Sequence, residues 1–332
     1  MSGLIKEKNM AKWLVTGAAG FIGSNIVRKL IEDKQEVWGL DNFANSDHSN
    51  IEEIKNDFIF VEGDIRDFET CKELCRGVDY VLHQAALGSV PRSIDDPYAS
   101  NDSNVNGFLN IMIAAKEAKV KKFIYASSGS VYGDSTILPK VENVIGDSLS
   151  PYAATKQINE MYAKVFSKVY NFDSIGLRYF NVYGPHQKFS GPYVTVIPTW
   201  CSAFIKGEDI FINGDGETSR DFCFVEDAVR ANILAAMSDL KGANIFNVGA
   251  GSNIALNTLF IMLKLFFNKP NVEPIYRDFR AGDTRHTLAD LTNIEKKLGY
   301  YAKYDIHLGL NKAIEWYRTK IEQNGEIKIR EI

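Results

Sequence analysis

The stretch from Lys12 to Gly23 constrains the fold of this chain more than any other. It reads KWLVTGAAGFIG, an apolar run that breaks into three glycines and leads into the helical pattern 24–30. Apolar residues that do not alternate indicate a strand covered on both faces, and a glycine-rich turn into a helix directs backbone N–H groups at an anion. Gly17 permits the tight turn, Gly20 lets the backbone approach phosphates, and Gly23 lets the helix lie close to the strand. We therefore expect a pyrophosphate site at this turn.

A second predicted strand, 36–40, ends in Asp41, eighteen positions after Gly23. A dinucleotide-binding fold places at this distance a carboxylate that accepts hydrogen bonds from the adenosine ribose hydroxyls. Asp41 repels a 2′-phosphate and no arginine follows it directly, so the spacing favours NAD as the cofactor. The alternative is that Asp41 is a solvated loop acid.

Composition narrows the class of protein. With 332 residues, 45% hydrophobic, the chain can form a substantial core, and a net charge of −4 without a basic run argues against nucleic-acid and membrane-surface partners. The four cysteines lack metal-ligand spacing, so we expect reduced thiols and no metal. No stretch is long and apolar enough to span a bilayer, and residues 1–10 are too polar for a secretory signal. These features predict a cytoplasmic enzyme acting on a small molecule.

Strand and helix patterns alternate along the first half of the chain. Further strands are predicted over 58–62, 78–82, 123–126 and 174–179, and helices over 68–76, 97–119 and 152–169. Alternation with helices of this length predicts an α/β fold, a Rossmann-type doubly wound parallel sheet covered by helices on both faces. Ligands are expected at the carboxyl ends of its strands.

The pattern becomes less regular from Gly184 onwards. Short apolar strands, 210–212 and 245–248, alternate with predicted helices near 194–206, 226–238 and 255–267. We predict a flexible leader over 1–10, an NAD-binding domain over 11–183, a smaller C-terminal α/β substrate-binding domain mainly over 184–323, and a tail over 324–332. Parts of the later chain are expected to return to the first domain.

Tyr152 and Lys156 lie four positions apart at the start of a predicted helix and therefore share one of its faces. A neighbouring ammonium, together with a positive nicotinamide ring, stabilises a phenolate and lowers the pKa of the tyrosine, which then serves as a general base. Ser128 ends the preceding strand and can donate to the same substrate oxygen. The alternative is a chance pair of residues at helical spacing.

Taken together, these motifs resemble those of the extended short-chain dehydrogenase/reductases. The resemblance covers nearly the whole chain and is carried by 17–23, Asp64, 83–86 (HQAA), Ser128, 152–156 and 178–185 (RYFNVYGP). Residues 87–93 (LGSVPRS) and 212–222 (INGDGETSRDF) are most similar to the UDP-N-acetylglucosamine 4-epimerases of bacterial surface-polysaccharide pathways.

This resemblance implies a mechanism with a permanently held NAD. Tyr152 takes the proton from the sugar O4, hydride passes from C4 to nicotinamide, and a 4-keto sugar forms. The keto sugar rotates about its link to the diphosphate, and the same NADH returns the hydride to the opposite face. The implied reaction is the interconversion of UDP-N-acetylglucosamine and UDP-N-acetylgalactosamine.

The resemblance also implies which residues bind the ligands. Arg220 and Arg280 would bind the diphosphate, Asp283 a ribose hydroxyl, and Asn181 the sugar or diphosphate, while the small Thr287 would leave room for an N-acetyl group. The implied catalytic set is Ser128, Tyr152 and Lys156. The implied cofactor-binding residues are Gly17, Gly20, Phe21, Ile22, Gly23, Asp41, Asn42, Asp64, Ile65, Gln84, Ala85, Ala86, Tyr152, Lys156, Tyr179 and Val182. The implied substrate-binding residues are Ser89, Ser128, Ser130, Tyr152, Asn181, Asn213, Arg220, Arg280, Asp283 and Thr287.

Other reactions and functions remain as alternatives. Related dehydratases and decarboxylases carry an acid on the strand ahead of the tyrosine helix, but here positions 129 and 130 are Gly129 and Ser130, which disfavours elimination. Gly129 also departs from the small or hydroxyl residue expected in the epimerases. An epimerase of UDP-glucose and UDP-galactose, an epimerase of UDP-N-acetylhexosaminuronic acids, and a net NAD(P)-dependent nucleotide-sugar reductase stay open. A non-catalytic nucleotide binder is disfavoured because Ser128, Tyr152 and Lys156 are all present.

The family implies a homodimer in which helices 97–119 and 152–170 pair with their symmetry mates as a four-helix bundle. Ile158, Met161, Tyr162 and Val165 form a second apolar stripe on the latter helix, as such a bundle requires.

Overall fold

A seven-stranded parallel sheet lies at the centre of the protein. The computed structural model describes residues 10–190, 194–279 and 284–323. The strands of the sheet are β1 (Lys12–Thr16), β2 (Glu36–Asp41), β3 (Ile59–Glu62), β4 (Tyr80–His83), β5 (Lys122–Ser128), β6 (Ser174–Tyr179) and β7 (Ala243–Val248). Their spatial order is β3-β2-β1-β4-β5-β6-β7. The predicted Rossmann-type fold is therefore confirmed.

The strand order reverses between β1 and β4. The chain adds β2 and β3 on one side of β1 and then returns to place β4 on the other side. The loops that leave the carboxyl ends of β1 and β4 consequently diverge and open a crevice between them. Crevices of this kind are where open α/β sheets bind ligands.

Helices cover both faces of the sheet, and each face has its own hydrophobic cluster. In chain order they are α1 (Phe21–Glu32), α2 (Phe68–Cys75), α3 (Val90–Asp95), α4 (Pro97–Asn101), α5 (Gly107–Glu117), α6 (Pro151–Tyr170), α7 (Val196–Lys206), α8 (Val225–Ala236), α9 (Leu256–Phe266), α10 (Thr292–Leu298) and α11 (Ile306–Gln323). α1 and α8 pack together on one face, and α2, α5 and α6 cover the other.

α6 has 20 residues, and its ends are defined by local sequence. The Ser150 side chain accepts a hydrogen bond from the Ala153 N–H, and Pro151 occupies the first turn, where it needs no hydrogen-bond partner. Asn171 ends the helix in the left-handed conformation, with φ of 53°. This start places the first turn of α6 beside the end of β5.

The predicted long helix over 97–119 is wrong in one respect, because it is interrupted. α4 passes into a π-helical turn, Asp102–Asn106, before α5 begins, and α5 ends at Glu117. A π turn carries one extra residue per turn, which rotates the side chains that follow it. The short α3 before it was not predicted.

The predicted strand 245–248 belongs to the large sheet as part of β7, and not to a separate later unit. α8 likewise packs against β5 and β6. Two small sheets lie in the later chain: Phe211–Asn213 pairs in parallel with Ile275–Arg277, and Ser219–Arg220 pairs antiparallel with Ile254–Ala255. The division into two domains stays a prediction.

Within the described ranges, no helix is long and apolar enough to cross a bilayer, and no cluster of His, Cys, Asp and Glu is arranged to hold a metal ion. The four cysteines are buried free thiols.

Candidate active site

The glycine turn between β1 and α1 has the geometry that its sequence predicts. Gly17 adopts φ of +70°, and a Cβ there would lie 2.7 Å from the Ala85 nitrogen. A Cβ on Gly23 would lie 1.9 Å from the Gly17 carbonyl oxygen. Gly20 precedes α1 without a side-chain cap, so the first N–H groups of the helix, on Phe21 and the residues after it, point out of the helix end. The turn is therefore shaped for an anion.

A cleft of about 220 Å³ opens at this turn, between the loops that follow β1, β2, β3 and β4. The lining residues that the sequence analysis predicts for the cofactor are Gly17, Gly20, Gly23, Asp41, Asn42, Ile65, Gln84, Ala85 and Ala86. Polar lining residues that it missed are Asn45, Ser46, Arg66, Arg92 and Ser103. Arg92 lies within the motif 87–93 but was not assigned to the cofactor, and the other four residues belong to no motif.

Asp41 lies at the end of β2 with its carboxylate oriented by three donors. It accepts from the Ala19 N–H at 3.0 Å, the Phe43 N–H at 2.9 Å and the Ser46 hydroxyl at 2.8 Å. A carboxylate has about four lone-pair sites, so one acceptor site remains for a ligand hydroxyl.

Asp64 is paired more tightly than a free ligand-binding acid. It accepts from Asn42 Nδ2 at 2.7 Å and from Arg66 Nη2 at 2.8 Å. Hydrogen bonds from Arg66 lower the pKa of Asp64 to about 2. Its neighbour Ile65 lines the cleft.

The structure brings Ser128, Tyr152 and Lys156 together at the carboxyl end of β5. The Ser128 side chain is near enough to the Tyr152 hydroxyl to oppose the rise in the pKa of Tyr152. Lys156 Nζ donates to the Ala126 carbonyl at 2.8 Å and lies 5.8 Å from the centre of the Tyr152 ring. The predicted catalytic side chains thus lie close together, and Tyr152 and Lys156 share one face of α6, as the helical spacing predicts.

Burial acts against the predicted lowering of the Tyr152 pKa by Lys156 and the nicotinamide ring, which stays a prediction. Burial raises the pKa of Tyr152, and the Ser128 hydrogen bond offsets only part of that rise. Burial also lowers the pKa of Lys156 to about 8. Desolvation opposes both charged forms, and the ammonium is directed at the Ala126 carbonyl. The protein side chains alone therefore favour the neutral phenol.

A second group of predicted residues meets beyond the end of β6. Asn181 Nδ2 donates to Thr287 Oγ1 at 3.4 Å, and the Asp221 N–H donates to the same hydroxyl at 3.2 Å. Arg220 Nη1 donates to the Ser219 and Arg285 carbonyls at 3.0 and 3.2 Å. Asn181, Thr287 and Arg220 thus belong to one cluster, although they are far apart in sequence.

Asp221 holds this cluster together, and the sequence analysis missed it. Its buried carboxylate accepts from the N–H groups of Ala250, Gly251 and Ala289 at 2.7, 3.2 and 3.0 Å. Burial nevertheless raises the pKa of Asp221 to about 6. One side chain thus joins the loop after β7 to the segment that carries Thr287.

The segment 285–290 is also tied to the rest of the chain through its backbone. The Thr287 N–H donates to Ser219 O at 3.1 Å on one side. On the other side Lys140 N–H donates to Leu288 O at 2.7 Å, and Asp290 N–H donates to Lys140 O at 3.0 Å.

Asn104, in the π turn, was also missed. Its amide accepts from the Leu87 N–H at 2.7 Å and donates to the Leu87 carbonyl and to Thr155 Oγ1, each at 3.2 Å. It thereby connects the loop after β4 to the helix of Tyr152. The sequence offers no signal for this role because nothing in 97–119 marks the π turn.

Gln84, Tyr179 and Asn232 form a closed ring of hydrogen bonds. The Tyr179 hydroxyl donates to Gln84 Oε1 at 3.1 Å and accepts from Asn232 Nδ2 at 2.7 Å, while Gln84 Nε2 donates to Asn232 Oδ1 at 3.0 Å. Two predicted cofactor residues are therefore linked by a residue of α8.

The remaining predicted residues are scattered around these clusters. The Ser89 side chain caps α3, and the Ser130 N–H donates to Ser128 Oγ. Val182 is half-buried, with its carbonyl accepting from Gln187. Asn213 is exposed at the end of a small strand, and the structure gives it no side-chain contact with the Thr287 cluster within the described ranges. Arg280 and Asp283 lie outside the described residues.

The comparisons with known proteins agree with this geometry. The profile of the NAD dependent epimerase/dehydratase family matches residues 13–249. A UDP-glucose 4-epimerase of Mycolicibacterium smegmatis is 35% identical over 311 residues, which cover 92% of this chain and 98% of that protein. A UDP-glucuronate 4-epimerase of Thermodesulfobacterium geofontis is 31% identical, covering 96% of this chain and 100% of that protein.

A solved structure of a UDP-N-acetylglucosamine 4-epimerase from Methanobrevibacter ruminantium, in complex with UDP-N-acetylmuramic acid, superposes with a TM-score of 0.89. It is 36% identical, and the match covers 94% of this chain and 99% of that one.

The glycine turn fits the cofactor that the family name specifies, because the diphosphate of NAD requires a backbone approach that a Cβ at Gly17 or Gly23 would block. The cofactor is NAD. By its family profile and its relatives, the chain belongs to the NAD dependent epimerase/dehydratase family.

Proposed function

We propose that this protein interconverts UDP-N-acetylglucosamine and UDP-N-acetylgalactosamine by inverting the configuration at C4. The reaction class, NAD-dependent 4-epimerisation of a UDP-sugar, is supported by the family and by relatives named UDP-glucose and UDP-glucuronate 4-epimerases. The choice of the acetylated sugar goes further and depends on the Thr287 cluster.

The observation that carries this choice is the contact between Thr287 and Asn181. By family resemblance, Asn181 binds the sugar or its diphosphate, and its amide lies 3.4 Å from the Thr287 hydroxyl. A residue in contact with Asn181 faces the same ligand region. A side chain as small as threonine leaves space there for an N-acetyl group while the sugar turns over. One structural neighbour is named a UDP-N-acetylglucosamine 4-epimerase, which agrees with this assignment.

Tyr152, Ser128 and Lys156 would manage the proton of the sugar O4. Ser128 can donate to the substrate oxygen while Tyr152 accepts the proton from it, and Tyr152 returns a proton after the sugar has turned. When bound, NAD supplies the acceptor and donor of the C4 hydride. Lys156, 5.8 Å from the Tyr152 ring, contributes positive charge that favours the phenolate once the site is closed to water.

We infer that Arg220 holds the diphosphate while the sugar moves. Its guanidinium is anchored by the Ser219 and Arg285 carbonyls and lies next to Asp221 in the chain. Since the anchor binds the diphosphate and not the hexose, the sugar is free to rotate about its link to phosphorus.

The test is a substrate panel on the purified holoenzyme, followed by proton NMR of the anomeric signals. UDP-N-acetylglucosamine, UDP-glucose and UDP-glucuronic acid are each supplied without added cofactor, with Tyr152→Phe protein as the control. We expect the highest kcat/KM for the acetylated sugar and no net NADH. Preference for UDP-glucose would instead support the activity for which the Mycolicibacterium relative is named. Turnover that requires added NADH would identify a reductase.

A further inference from the structure

Among the described residues, Arg66 and Arg92 line the dinucleotide cleft, and they differ in how their charge is balanced. Arg66 Nη2 lies 2.8 Å from Asp64 Oδ2, and its Nη1 lies 3.0 Å from Asp102 Oδ2. For Arg92, by contrast, no carboxylate of residues 10–190, 194–279 or 284–323 lies within ion-pair distance. Within the described residues, Arg92 therefore carries a positive charge at the edge of the cleft that no carboxylate pairs at ion-pair distance.

Neighbouring residues hold Arg92 in this position. Its N–H donates to Ser89 Oγ at 3.2 Å, in the first turn of α3, and its Nη1 donates to Asn45 Oδ1 at 2.6 Å. Asn45 Nδ2 in turn donates to the Ala86 carbonyl at 3.2 Å. Asn45 and Ala86 also line the cleft, so the guanidinium is fixed between the loop after β2 and the loop after β4.

The glycine turn that lines the same cleft presents hydrogen-bond donors without a full charge. Gly17, Gly20 and Gly23 line it, and the uncapped start of α1 carries only the partial positive charge of a helix end. The diphosphate of NAD brings two negative charges. An arginine can pair two phosphate oxygens at once and carries a full positive charge. Backbone N–H groups carry only partial charges and cannot balance the charge of the diphosphate.

We propose that Arg92 binds the diphosphate of NAD and balances its charge, with Asn45 as the residue that orients the guanidinium. Neither the glycine turn nor Asp41 supplies a positive side chain to the cofactor, and Arg92 provides it. The proposal rests on NAD as the cofactor and is independent of which sugar is turned over.

Arg92→Gln is the direct test, with Arg76→Gln as a matched control. Arg76 is an exposed arginine at the end of α2, outside the cleft, so its loss changes net charge equally. The NAD retained per chain is measured after dialysis, and protein freed of NAD is titrated with NAD⁺, ADP-ribose and adenosine. We expect Arg92→Gln to raise the Kd of NAD⁺ and ADP-ribose about 10- to 100-fold and to change that of adenosine less than about twofold. Arg76→Gln should change none of them.

Three outcomes would overturn the proposal. These are an unchanged Kd for NAD⁺ and ADP-ribose, an equal loss for adenosine, which would indicate a distorted cleft, and weaker UDP binding with normal NAD retention, which would assign Arg92 to the substrate. If Arg92→Gln does not fold, Arg92→Lys and Asn45→Ala are used instead. Both variants should weaken the binding of NAD⁺ and ADP-ribose selectively, and by less than Arg92→Gln does. Lysine keeps the positive charge but lacks the guanidinium geometry that pairs two oxygens. No selective loss in either variant would equally overturn it.

Discussion

Burial of Tyr152 fixes the position of its phenol but opposes its ionisation. Packing at the start of α6 holds the phenol beside Ser128, but the same burial raises the pKa of Tyr152. A buried phenol is a poor base until positive charge offsets its desolvation. Lys156 and the bound cofactor are the available sources of that charge.

Tyr152→Phe should lower kcat for every UDP-sugar by about 10²- to 10⁴-fold, the usual contribution of a general acid–base group. The ring keeps its packing and only the hydroxyl is lost, so thermal unfolding and NAD content should match the wild type. Near-normal turnover in this variant would remove Tyr152 from the mechanism.

Thr287→Tyr should affect the acetylated pair of UDP-sugars more than the pair UDP-glucose and UDP-galactose. A larger ring beside Asn181 would exclude the N-acetyl group, so kcat/KM for the acetylated sugars should fall at least about tenfold more than for UDP-glucose. Thr287→Ser is the control that keeps the hydroxyl and the space. Equal loss on both pairs, or none, would contradict a role for Thr287 in specificity.

Sequence reasoning found residues whose role is set by local chemistry and missed those set by tertiary contacts. Gly17, Asp41 and the Tyr152–Lys156 spacing are readable because a turn, a strand end and one helical turn determine them. Asp221 and Asn104 act through backbone groups of distant segments, which no local pattern records. The predicted effect of Lys156 and the nicotinamide ring on the pKa of Tyr152 stays a prediction, and the opposing effect of burial cannot be read from spacing.

The same distinction between local patterns and tertiary contacts explains which boundaries of strands and helices were predictable. Strands of the large sheet were predictable from apolar runs, and α6 from its Pro151 start. The π turn that interrupts the predicted helix 97–119 was not predictable, because the apolar stripe of that helix continues through the turn. Asn104 in the turn forms a hydrogen bond with Leu87. Tertiary hydrogen bonds therefore overrode a regular helical pattern.

Asp221 allows a pH test of the contacts between segments. Burial raises its pKa to about 6, against an ordinary value near 3.9. Between about pH 4 and 6 the folded protein thus binds more protons than the unfolded chain, so the Asp221 contribution to stability falls as pH rises. The free energy of unfolding of wild type minus that of Asp221→Asn should therefore decrease by up to about 2–3 kcal/mol from about pH 4 to 7. Urea unfolding at each pH measures it, and parallel pH profiles would contradict the prediction.

For the whole molecule, α6 leaves an apolar stripe in solvent. Met161, Val165 and Val169 are about half or more exposed, at 57%, 50% and 63%, one helical turn apart, whereas Ile158 and Tyr162 of the predicted stripe are half-buried. Isolated exposed apolar residues are common, but an aligned stripe on one helix favours a protein partner. The homodimer through a four-helix bundle stays a prediction.

Val165→Glu should convert that dimer to a monomer, because a two-fold axis would bring two new carboxylates together in an apolar interface. Asn311→Glu, an exposed position on α11, is the control. Sedimentation velocity at micromolar protein measures the change. A monomeric wild type would contradict the prediction.

The segment 285–290 joins Ser219 to Lys140, and Lys140 O also accepts from Asn247 of β7. The later chain is therefore joined to the large sheet by backbone hydrogen bonds and by the side-chain amide of Asn247, contacts that neither part can form alone. In thermodynamic terms the two parts share one cooperative unit, so calorimetry should show a single transition with equal calorimetric and van't Hoff enthalpies. Mutations around Thr287 should then change the melting temperature of the entire protein, so a change of side chain at this position acts on global stability as well as on its neighbours.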